Sequence, residues 1–325
     1  MATTPLTIHP DVTNALQNSD PVVALESAVI TSGLPRKPLE IDLPFEIENW
    51  QSDQPVNQQL ALAMNHVVRS AGAVPAMTAV IDGKLCIGLS DQQITYLAEN
   101  PKHEKASVRD LSSAISSGKT AGTTVSATLL ACKLALPKSI RIMATGGIGG
   151  VHRNWQQHPD ISADLYQLAR SRVCVVASGA KSLLDVPATL EALETLAIPV
   201  LAYRTDYFPL FYCQSSLEIP SSGRVDDIED AAEVCNSHWD QLGLPGGLLL
   251  ANPVRPALAL DPTEIEGHIA EAEASALSEG ITASQRTPYL LQALNQQTLG
   301  RSLTANLALL LDNADLASQL AQVLH

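Results

Sequence analysis

Short runs of apolar residues alternate along the chain with longer segments in which apolar residues recur every three or four positions. Val22–Leu25, Val200–Tyr203 and Leu248–Ala251 are such runs, typical of strands that are buried on both faces of a parallel sheet. Asp82-Gly83, which separates two further apolar runs, predicts a hairpin because this dipeptide favours a tight turn. The alternation favours an α/β fold with three layers, αβα, around a central, largely parallel or mixed sheet.

The other segments are assigned from the same periodicities. A leading helix is predicted within residues 1–20, Ala28–Pro35 is predicted to be a loop, and a helix is predicted to start at Ser107, with that residue as its N-cap. Pro38–Gln58 is interpreted as an irregular surface insertion, in which Trp50 is exposed or half-buried. No repeat and no low-complexity linker interrupts the pattern, so the whole chain of 325 residues is expected to form a single domain.

The stretch from Ile140 to Asp185 is predicted to carry the functional site. Two apolar runs in it, Ile140–Ala144 and Val173–Ala177, are each followed at once by a glycine-containing loop. Between them, Ile161–Arg170 has helical spacing, with Ile161 on the apolar side. Open α/β sheets bind ligands at the carboxyl ends of their strands, so the ligand site is expected at the carboxyl-terminal ends of these two strands.

Composition excludes several classes of partner. Lysine and arginine number 20 against 34 aspartates and glutamates, which gives a net charge of −14. Such a chain is a poor partner for nucleic-acid backbones and anionic membranes. No apolar run is long enough to span a bilayer and no signal region is visible, so a cytoplasmic location is expected. The five cysteines are widely spaced, which is typical of reduced core thiols.

Two residues at strand ends could carry covalent and acid–base chemistry. Lys181 follows the second of the two runs, and a lysine in an apolar setting loses the solvation of its charged form, so that its pKa falls and the amine becomes nucleophilic. The alternative for Lys181 is a solvated loop position. Glu26 follows Val22–Leu25 and could transfer protons if its surroundings raise its pKa. The residue context alone favours the alternative for Glu26, a helix-capping or salt-bridging role.

Paired carboxylates mark a candidate metal site. Asp160 and Asp164 are four residues apart across a predicted helix start, with Ser162 between them. Their oxygens can face one cavity and suit Mg²⁺ or Mn²⁺, which bind through one or two carboxylates and several waters. The alternative is that Asp160 simply caps a helix that begins at Ile161.

Two glycine-containing segments offer a place for a phosphate. Thr145–Gly150 and Gly122–Thr124 precede turns or helices, where glycine permits close backbone approach and a helix N-terminus attracts an anion. The first segment lacks the dinucleotide fingerprint G-x-G-x-x-G, so the phosphate of a small molecule is expected, not NAD. Lys105 and His152 could add charge or hydrogen bonds to that phosphate, or could equally be surface residues.

Seven motifs occur in order: V-A-L-E-S (23–27), K-x-S-x-R-D-L (105–111), T-T-V-x-A-T (123–128), A-T-G-G-I-G-G-V-H-R (144–153), D-I-S-A-D-L (160–165), G-A-K-S-L-L-D (179–185) and G-G-L-x-x-A-N-P (246–253). Together they resemble the pseudouridine-5′-phosphate glycosidases, also called the indigoidine synthase A-like family, from about residue 8 to the C-terminus. The resemblance implies cleavage of the C–C glycosidic bond of pseudouridine 5′-phosphate to uracil and ribose 5-phosphate. It also implies a Mn²⁺-dependent, cytoplasmic homotrimer.

The resemblance assigns roles to individual residues. Lys181 matches the lysine that forms a Schiff base with C1′ of the opened sugar, Glu26 matches the proton donor, and Asp160 matches the metal ligand. The implied substrate-contacting positions are Lys105, Thr124, Val125, Thr145, His152, Ser162, Ala163, Asp164 and Asn306. An iminium on Lys181 would provide an electron sink at the sugar carbon, and a proton from Glu26 would allow the uracil ring to leave before the lysine adduct is hydrolysed.

The chain departs from the family pattern at two positions. Ser32 stands where many members have histidine, and Val108 stands where an arginine is usual. If those basic residues contact the phosphate, the affinity or even the substrate differs here. Two alternatives therefore stay open: a Schiff-base enzyme that acts on another C-nucleoside or sugar phosphate, and an inactive sugar-phosphate or nucleotide sensor. The intact pair of Glu26 and Lys181 favours the same type of reaction.

Overall fold

The computed structural model describes residues 5–39, 43–157, 159–214, 219–281 and 286–324, without the side chains of Arg286 and Pro288. A sheet of eleven strands runs through these described residues. The strands are β1 (Leu6–Ile8), β2 (Val22–Leu25), β3 (Val74–Ile81), β4 (Lys84–Ile87), β5 (Glu104–Ala106), β6 (Ala121–Thr123), β7 (Ile142–Ala144), β8 (Cys174–Ala177), β9 (Val200–Tyr203), β10 (Gly223–Val225) and β11 (Leu248–Ala251).

The main path of the sheet has the order β1-β4-β3-β2-β7-β8-β11-β9-β10, with β6 paired to β3 and β5 paired to β6. Neighbouring strands are parallel except where β3 meets β4 and where β3 meets β6. The prediction of a largely parallel, mixed sheet is confirmed. The central strands β2, β8 and β11 are buried along their whole length, as their uninterrupted apolar sequences require.

Helices cover both faces of the sheet. They are α1 (Pro10–Asn18), α2 (Val56–Ser70), α3 (Asp91–Glu99), α4 (Leu111–Ser116), α5 (Val125–Leu134), α6 (Ala163–Leu168), α7 (Val186–Thr195), α8 (Ile228–Asn236), α9 (Pro262–Ser278), α10 (Arg286–Gln297) and α11 (Arg301–Val323). One apolar core packs α2, α3 and α8 to α11 against the sheet, and a second packs α1 and α4 to α7 against the other face. The three-layer αβα architecture is therefore confirmed.

Local turn chemistry accounts for the hairpin between β3 and β4. Asp82 and Gly83 both have positive φ, 48° and 74°, which is the conformation that a two-residue hairpin turn needs and that Asp-Gly tolerates. The predicted hairpin is thus confirmed, as are the bounds of β2, β9 and β11. The five cysteines are buried and free, as predicted.

Four local predictions were wrong. Residues Val29–Gly33 form a π-helical turn where a loop was expected. Ser107 does not cap a helix, because its hydroxyl donates to Asp110 at 2.7 Å and α4 starts only at Leu111. The helix between the two glycine loops starts at Ala163, capped by Ser162, so Asp160 is not its cap. Ile161 precedes that helix and is exposed, not turned inward.

The predicted insertion is irregular but not a free surface loop. Among its described residues no strand or helix occurs before α2 begins at Val56, so the last three residues of the predicted insertion are helical. Phe45, Ile47 and Trp50 are partly buried against the core that contains α2 and α11, and Trp50 is half-buried. The insertion is therefore anchored by its alternating apolar side chains. No helix among the described residues is long and apolar enough to cross a bilayer.

Candidate active site

The site is built where the chain changes direction in the sheet. Strands β2 and β7 are parallel neighbours, and the chain continues from β2 to β3 on one side and from β7 to β8 on the other. Connections that diverge in this way leave a crevice beyond the carboxyl ends of the two strands. Glu26 directly follows β2 and Thr145 directly follows β7, so both stand at this crevice.

Glu26 is a buried acid, only 4% exposed. Its carboxylate accepts a short hydrogen bond from the hydroxyl of Thr145. Burial raises the pKa of Glu26, while the charge of Lys181 and the hydrogen bond from Thr145 lower it by less. Glu26 makes no ion pair with another described residue, and it caps no helix. The salt-bridging and capping alternatives are therefore wrong.

Lys181 is held by pairing between the two glycine-containing loops. The amide of Ile148 donates to the carbonyl of Gly179 at 3.0 Å, and the amide of Lys181 donates to the carbonyl of Ile148 at 3.1 Å. Gly179 has a φ of +82°, and a Cβ there would lie 2.1 Å from the carbonyl oxygen of Pro209. Only glycine fits this turn, which directs the half-buried Lys181 to the same crevice as Glu26.

Lys105 on β5 joins the same electrostatic environment. Burial and the charge of Lys181 lower the pKa of Lys105, and the carboxylates of Glu26, Asp164 and Asp160 raise it by less. The structure thus brings together five of the residues that the sequence singled out. Neither lysine forms an ion pair with a described residue, so both amines are left for a ligand.

Asp164 acts electrostatically on Glu26 and Lys105 and also has a structural role. It is buried, and its two carboxylate oxygens accept hydrogen bonds from backbone amides, Ser126 at 2.8 Å and Gly149 at 2.9 Å. The carboxylate therefore ties the N-terminus of α5 to the glycine loop after β7. Each oxygen accepts one amide hydrogen bond, so Asp164 has a structural role, and the expectation that Asp160 and Asp164 together present oxygens to a metal stays a prediction.

Asp160 is the carboxylate that remains available to a cation. Its side chain is half exposed, and one oxygen lies 3.9 Å from Nε2 of His152. Among the described residues no group of three or more His, Cys, Asp or Glu side chains could hold a metal. A single carboxylate fits a hydrated divalent ion such as Mn²⁺ or Mg²⁺, whose other positions would be filled by water and substrate.

The glycines after β7 serve packing. A Cβ on Gly147 would lie 2.7 Å from the ring of Phe211, one on Gly149 would lie 2.4 Å from the Ser162 hydroxyl, and one on Gly150 would lie 2.4 Å from Thr189. The space that these glycines leave open is thus filled by the protein itself. The interpretation of this segment as a phosphate cradle is not supported on those faces.

The remaining predicted positions lie at the N-termini of α5 and α6 and on α11. Thr124 is the half-buried N-cap residue of α5, and its amide donates to the carbonyl of Ala106, beside Lys105. Val125 begins the helix and is buried, and Asn306 is buried on α11. Ser162 and Ala163 are half-buried at the start of α6.

The two positions that depart from the family pattern lie near this region. The amide of Val108 donates to the hydroxyl of Ser126 at 3.3 Å, which places Val108 against the N-terminus of α5. Ser32 lies in the π-helical turn after β2, with its hydroxyl 3.4 Å from that of Thr31.

Two asparagines at the site were missed in the sequence. Asn313 and Asn252 hydrogen-bond to each other at 3.0 Å behind the loops that carry Thr145 and Lys181. The available signal was the seven-residue spacing of Asn306 and Asn313 on α11, which puts two amides on one face of the helix.

Comparisons with known proteins identify the family and the fold. The family model described as indigoidine synthase A like protein matches residues 11–323. A pseudouridine-5′-phosphate glycosidase from Caldanaerobacter subterraneus subsp. tengcongensis is 42% identical over 315 residues, 97% of this chain and 95% of that protein. The structure of the prealnumycin C-glycosynthase AlnA in complex with ribulose 5-phosphate has a TM-score of 0.83 and 36% identity, and covers 98% of this chain and 96% of that chain. An indigoidine synthase A-like protein from Thermotoga maritima has a TM-score of 0.82 and 31% identity, with 98% and 96% covered.

Proposed function

Because the chain belongs to the indigoidine synthase A-like family, we propose that it cleaves the carbon–carbon glycosidic bond of pseudouridine 5′-phosphate to give uracil and ribose 5-phosphate. The observation that carries the proposal is the shared environment of Glu26 and Lys181, in which the lysine charge acts on a buried acid at the carboxyl edge of the sheet. A relative with 42% identity over nearly the whole chain is named for this reaction.

The bond to be broken joins C1′ of the sugar to C5 of uracil, so protonation of a leaving oxygen, the usual route for glycosides, is not open. In the proposed reaction the amine of Lys181 adds to C1′ while the C1′–O4′ bond opens and O4′ takes a proton. Glu26 then gives its proton to C5, and the C1′–C5 bond breaks with its electron pair remaining on uracil. The lone pair on the lysine nitrogen completes an iminium at C1′.

Water then adds to the iminium, which releases ribose 5-phosphate and restores the amine of Lys181. Glu26 regains a proton in this half of the cycle. A raised pKa suits this role, because the carboxyl then stays protonated to a higher pH than an exposed glutamate. Each of these steps can run backwards with the same two side chains, so the proposed reaction is reversible in principle.

Lys105 supports an anchor for the 5′-phosphate. It is half-buried beside the N-terminus of α5 and forms no ion pair with a described residue. A phosphate there would be attracted by Lys105, and His152 could add a hydrogen bond. Binding energy from this remote group can be used to hold C1′ against the amine.

We also propose that Asp160 binds Mn²⁺ through its half-exposed carboxylate, with water in most other positions. When bound, the ion would supply positive charge for substrate oxygens near the phosphate side of the site. Titration of the protein with Mn²⁺, followed by the paramagnetic relaxation of water protons, tests this, because an Asp160→Asn variant should lose the bound fraction.

A homotrimer, expected from the family resemblance, is likewise a proposal for this chain. Multi-angle light scattering on the eluting protein should give about three times the monomer mass of 34.5 kDa. A monomer mass would contradict it.

Uracil release tests the central proposal. The purified protein is incubated with pseudouridine 5′-phosphate, and uracil is separated and identified by its chromatographic retention and mass. Uracil and ribose 5-phosphate should appear in equal amounts. The absence of both, in a folded protein supplied with Mn²⁺, would contradict the proposal.

A second candidate is formation of a carbon–carbon glycosidic bond by the reverse of these steps. The observation that favours it is the structural similarity to a C-glycosynthase that was solved with ribulose 5-phosphate.

Incubation with ribose 5-phosphate and borohydride distinguishes an enzyme from an inactive sugar-phosphate sensor, since a reactive Lys181 gains an irreversible adduct detectable by mass. Tight binding of the sugar phosphate without an adduct would favour the sensor.

A further inference from the structure

Asn313 is fully buried on α11, where that helix packs against β7 and β8. Its amide nitrogen donates to the carbonyl of Thr145 at 2.8 Å and to the hydroxyl of Ser178 at 3.2 Å. Its amide oxygen accepts a hydrogen bond of 3.0 Å from the side chain of Asn252. Because Thr145, Ser178 and Asn252 directly follow β7, β8 and β11, one side chain joins the ends of three neighbouring strands.

A buried amide costs stability unless its donors and acceptor find partners. Asn65 on α2 is the contrasting case, because it is also buried, and neither its side-chain nitrogen nor its oxygen has a hydrogen-bond partner among the described residues. The amide of Asn313 is instead satisfied by groups that belong to the candidate active site.

We propose that Asn313 is a positioning residue, which holds Thr145 in the orientation that donates to Glu26 and holds Ser178 at the base of the loop that carries Lys181. The connection is short: Asn313 fixes the carbonyl of Thr145, and the hydroxyl of the same residue donates to the carboxylate of Glu26. Asn313 itself makes no contact with Glu26 or Lys181 in these bonds. The inference rests on the proposed function, because that function gives Glu26 its role as the acid.

Loss of the amide has a defined electrostatic consequence. The Thr145 hydroxyl stabilises the ionised form of Glu26 and lowers its pKa, against the larger effect of burial. Without Asn313 the carbonyl of Thr145 loses its donor, and the hydroxyl is no longer held toward Glu26. The pKa of Glu26 then rises further, so that the acid stays protonated to higher pH.

Carboxyl titration in Asn313→Leu tests this directly. Glutamate is labelled with ¹³C at its side-chain carboxyl, and the resonance of Glu26 is identified by its loss in Glu26→Gln. We expect Glu26 to titrate about half to one pH unit higher in Asn313→Leu than in the unmodified protein, the size of one hydrogen bond. Asn65→Leu, the matched control, should leave the titration unchanged. An unchanged titration in Asn313→Leu would overturn the inference.

This readout requires no substrate, so it separates the inference from the proposed function. If the unmodified protein releases no uracil, the proposed function is wrong, but the titration of Glu26 still tests whether Asn313 positions Thr145. If uracil is released, the alkaline limb of the pH profile of kcat/KM should move to higher pH in Asn313→Leu. The value of kcat should fall on the order of tenfold, with KM changed by less than about twofold, since Asn313 does not reach the substrate.

A double-mutant comparison guards against a purely structural effect. Thr145→Val removes the donor to Glu26, so it should raise the titration point of Glu26 by itself, and adding Asn313→Leu should raise it no further. Additive shifts would overturn the inference. Should Asn313→Leu fail to fold, Asn252→Ala takes its place, because it removes the partner that orients the Asn313 amide. A shift in the same direction is expected, and no shift would overturn the inference.

Discussion

The two edges of the central sheet both carry acidic and basic side chains: at one edge a set of them forms ion pairs, and at the other a buried acid and a lysine form none among the described residues. At the amino edge, Arg141 and Arg172 stand just before β7 and β8, and both donate to Asp240, at 3.1 Å and 2.9 Å. The guanidinium of Arg141 also stacks over the ring of Trp239. At the carboxyl edge of the same strands, Glu26 and Lys181 act on each other electrostatically, yet neither forms an ion pair with a described residue.

The difference separates structural charges from functional ones. Exposed ion pairs such as those of Asp240 contribute little to stability and need no ligand. A buried acid such as Glu26 and a half-buried lysine such as Lys105 cost stability, because their charged forms lose more solvation than neighbouring groups restore. Proteins retain such groups where a ligand will complete them, and this is the stability–activity trade-off expected of an active site. The carboxyl edge is therefore the part of the molecule where we propose that a substrate binds.

Replacing Lys181 breaks the functional edge most completely. Lys181→Met keeps the length of the side chain and removes the amine, so no adduct with C1′ can form. We expect uracil release to fall by a factor on the order of 10³ or more, and the borohydride adduct to disappear. Initial rates of uracil release and intact-protein mass spectrometry measure the two effects.

Lys138→Met is the matched control at the amino edge, where the Lys138 ammonium donates to the hydroxyl of Ser19 at 2.6 Å. Its activity and adduct should match those of the unmodified protein. Turnover that survives in Lys181→Met would remove the distinction between the two edges.

Glu26→Gln should lower activity and raise stability together. The substitution keeps an acceptor for the Thr145 hydroxyl and removes the proton donor, so kcat should fall by roughly 10²–10⁴. In the native protein the Glu26 pKa is raised above its usual value of 4.5, so folding is penalised as pH rises through that value toward the folded pKa. At neutral pH the free energy of unfolding of Glu26→Gln should therefore be about 1 kcal/mol higher than that of the unmodified protein, and its unfolding temperature should be higher as well.

The gain should disappear below about pH 4, where Glu26 is protonated in both folded and unfolded chains. Thermal unfolding across this pH range measures it. A lower midpoint for Glu26→Gln at neutral pH would show that Glu26 is a structural charge like those at the amino edge.

Lys105→Met sharpens the comparison by separating binding from chemistry. If Lys105 attracts the phosphate, KM for pseudouridine 5′-phosphate should rise about tenfold or more, with a smaller change in kcat. Inhibition by inorganic phosphate should weaken in parallel. Lys102→Met, three residues earlier at an exposed position, is the control and should change neither quantity. An equal loss of kcat would assign Lys105 to the chemical step.

Much of this contrast could be predicted from the sequence. Short apolar runs predicted the buried strands, because a strand that is covered on both faces has no polar positions. One of these runs ends directly before Glu26, and another ends shortly before Lys181. The motifs then identified both residues without any knowledge of their distance. The π-helical turn after β2 carries no periodic pattern, so it could not be recognised in the same way.

The packing within the loops could not be predicted from the sequence pattern, because it depends on residues that are distant along the chain. The glycines after β7 look like a phosphate cradle in sequence, yet Phe211 and Thr189, distant along the chain, fill the space beside them. Ser107 resembles a helix cap because a carboxylate follows three residues later, but the two side chains bond to each other ahead of α4. Asn313 was missed because a buried amide is informative only when its partners are known.

Asp240→Asn should have the smallest effect, and its sign completes the contrast. Hydrogen bonds from Arg141 and the charges of both arginines hold the pKa of Asp240 below its usual value, so the pair stabilises the fold above the unfolded pKa and loses this effect as pH falls through the folded one. We expect the unfolding midpoint of Asp240→Asn to fall by no more than about 1–2 °C at neutral pH, less at high salt, with kcat unchanged. At neutral pH, Asp240→Asn should lower the stability slightly and Glu26→Gln should raise it. Both differences in stability should vanish in acid. A loss of activity in Asp240→Asn would mean that the two edges are coupled through β7 and β8.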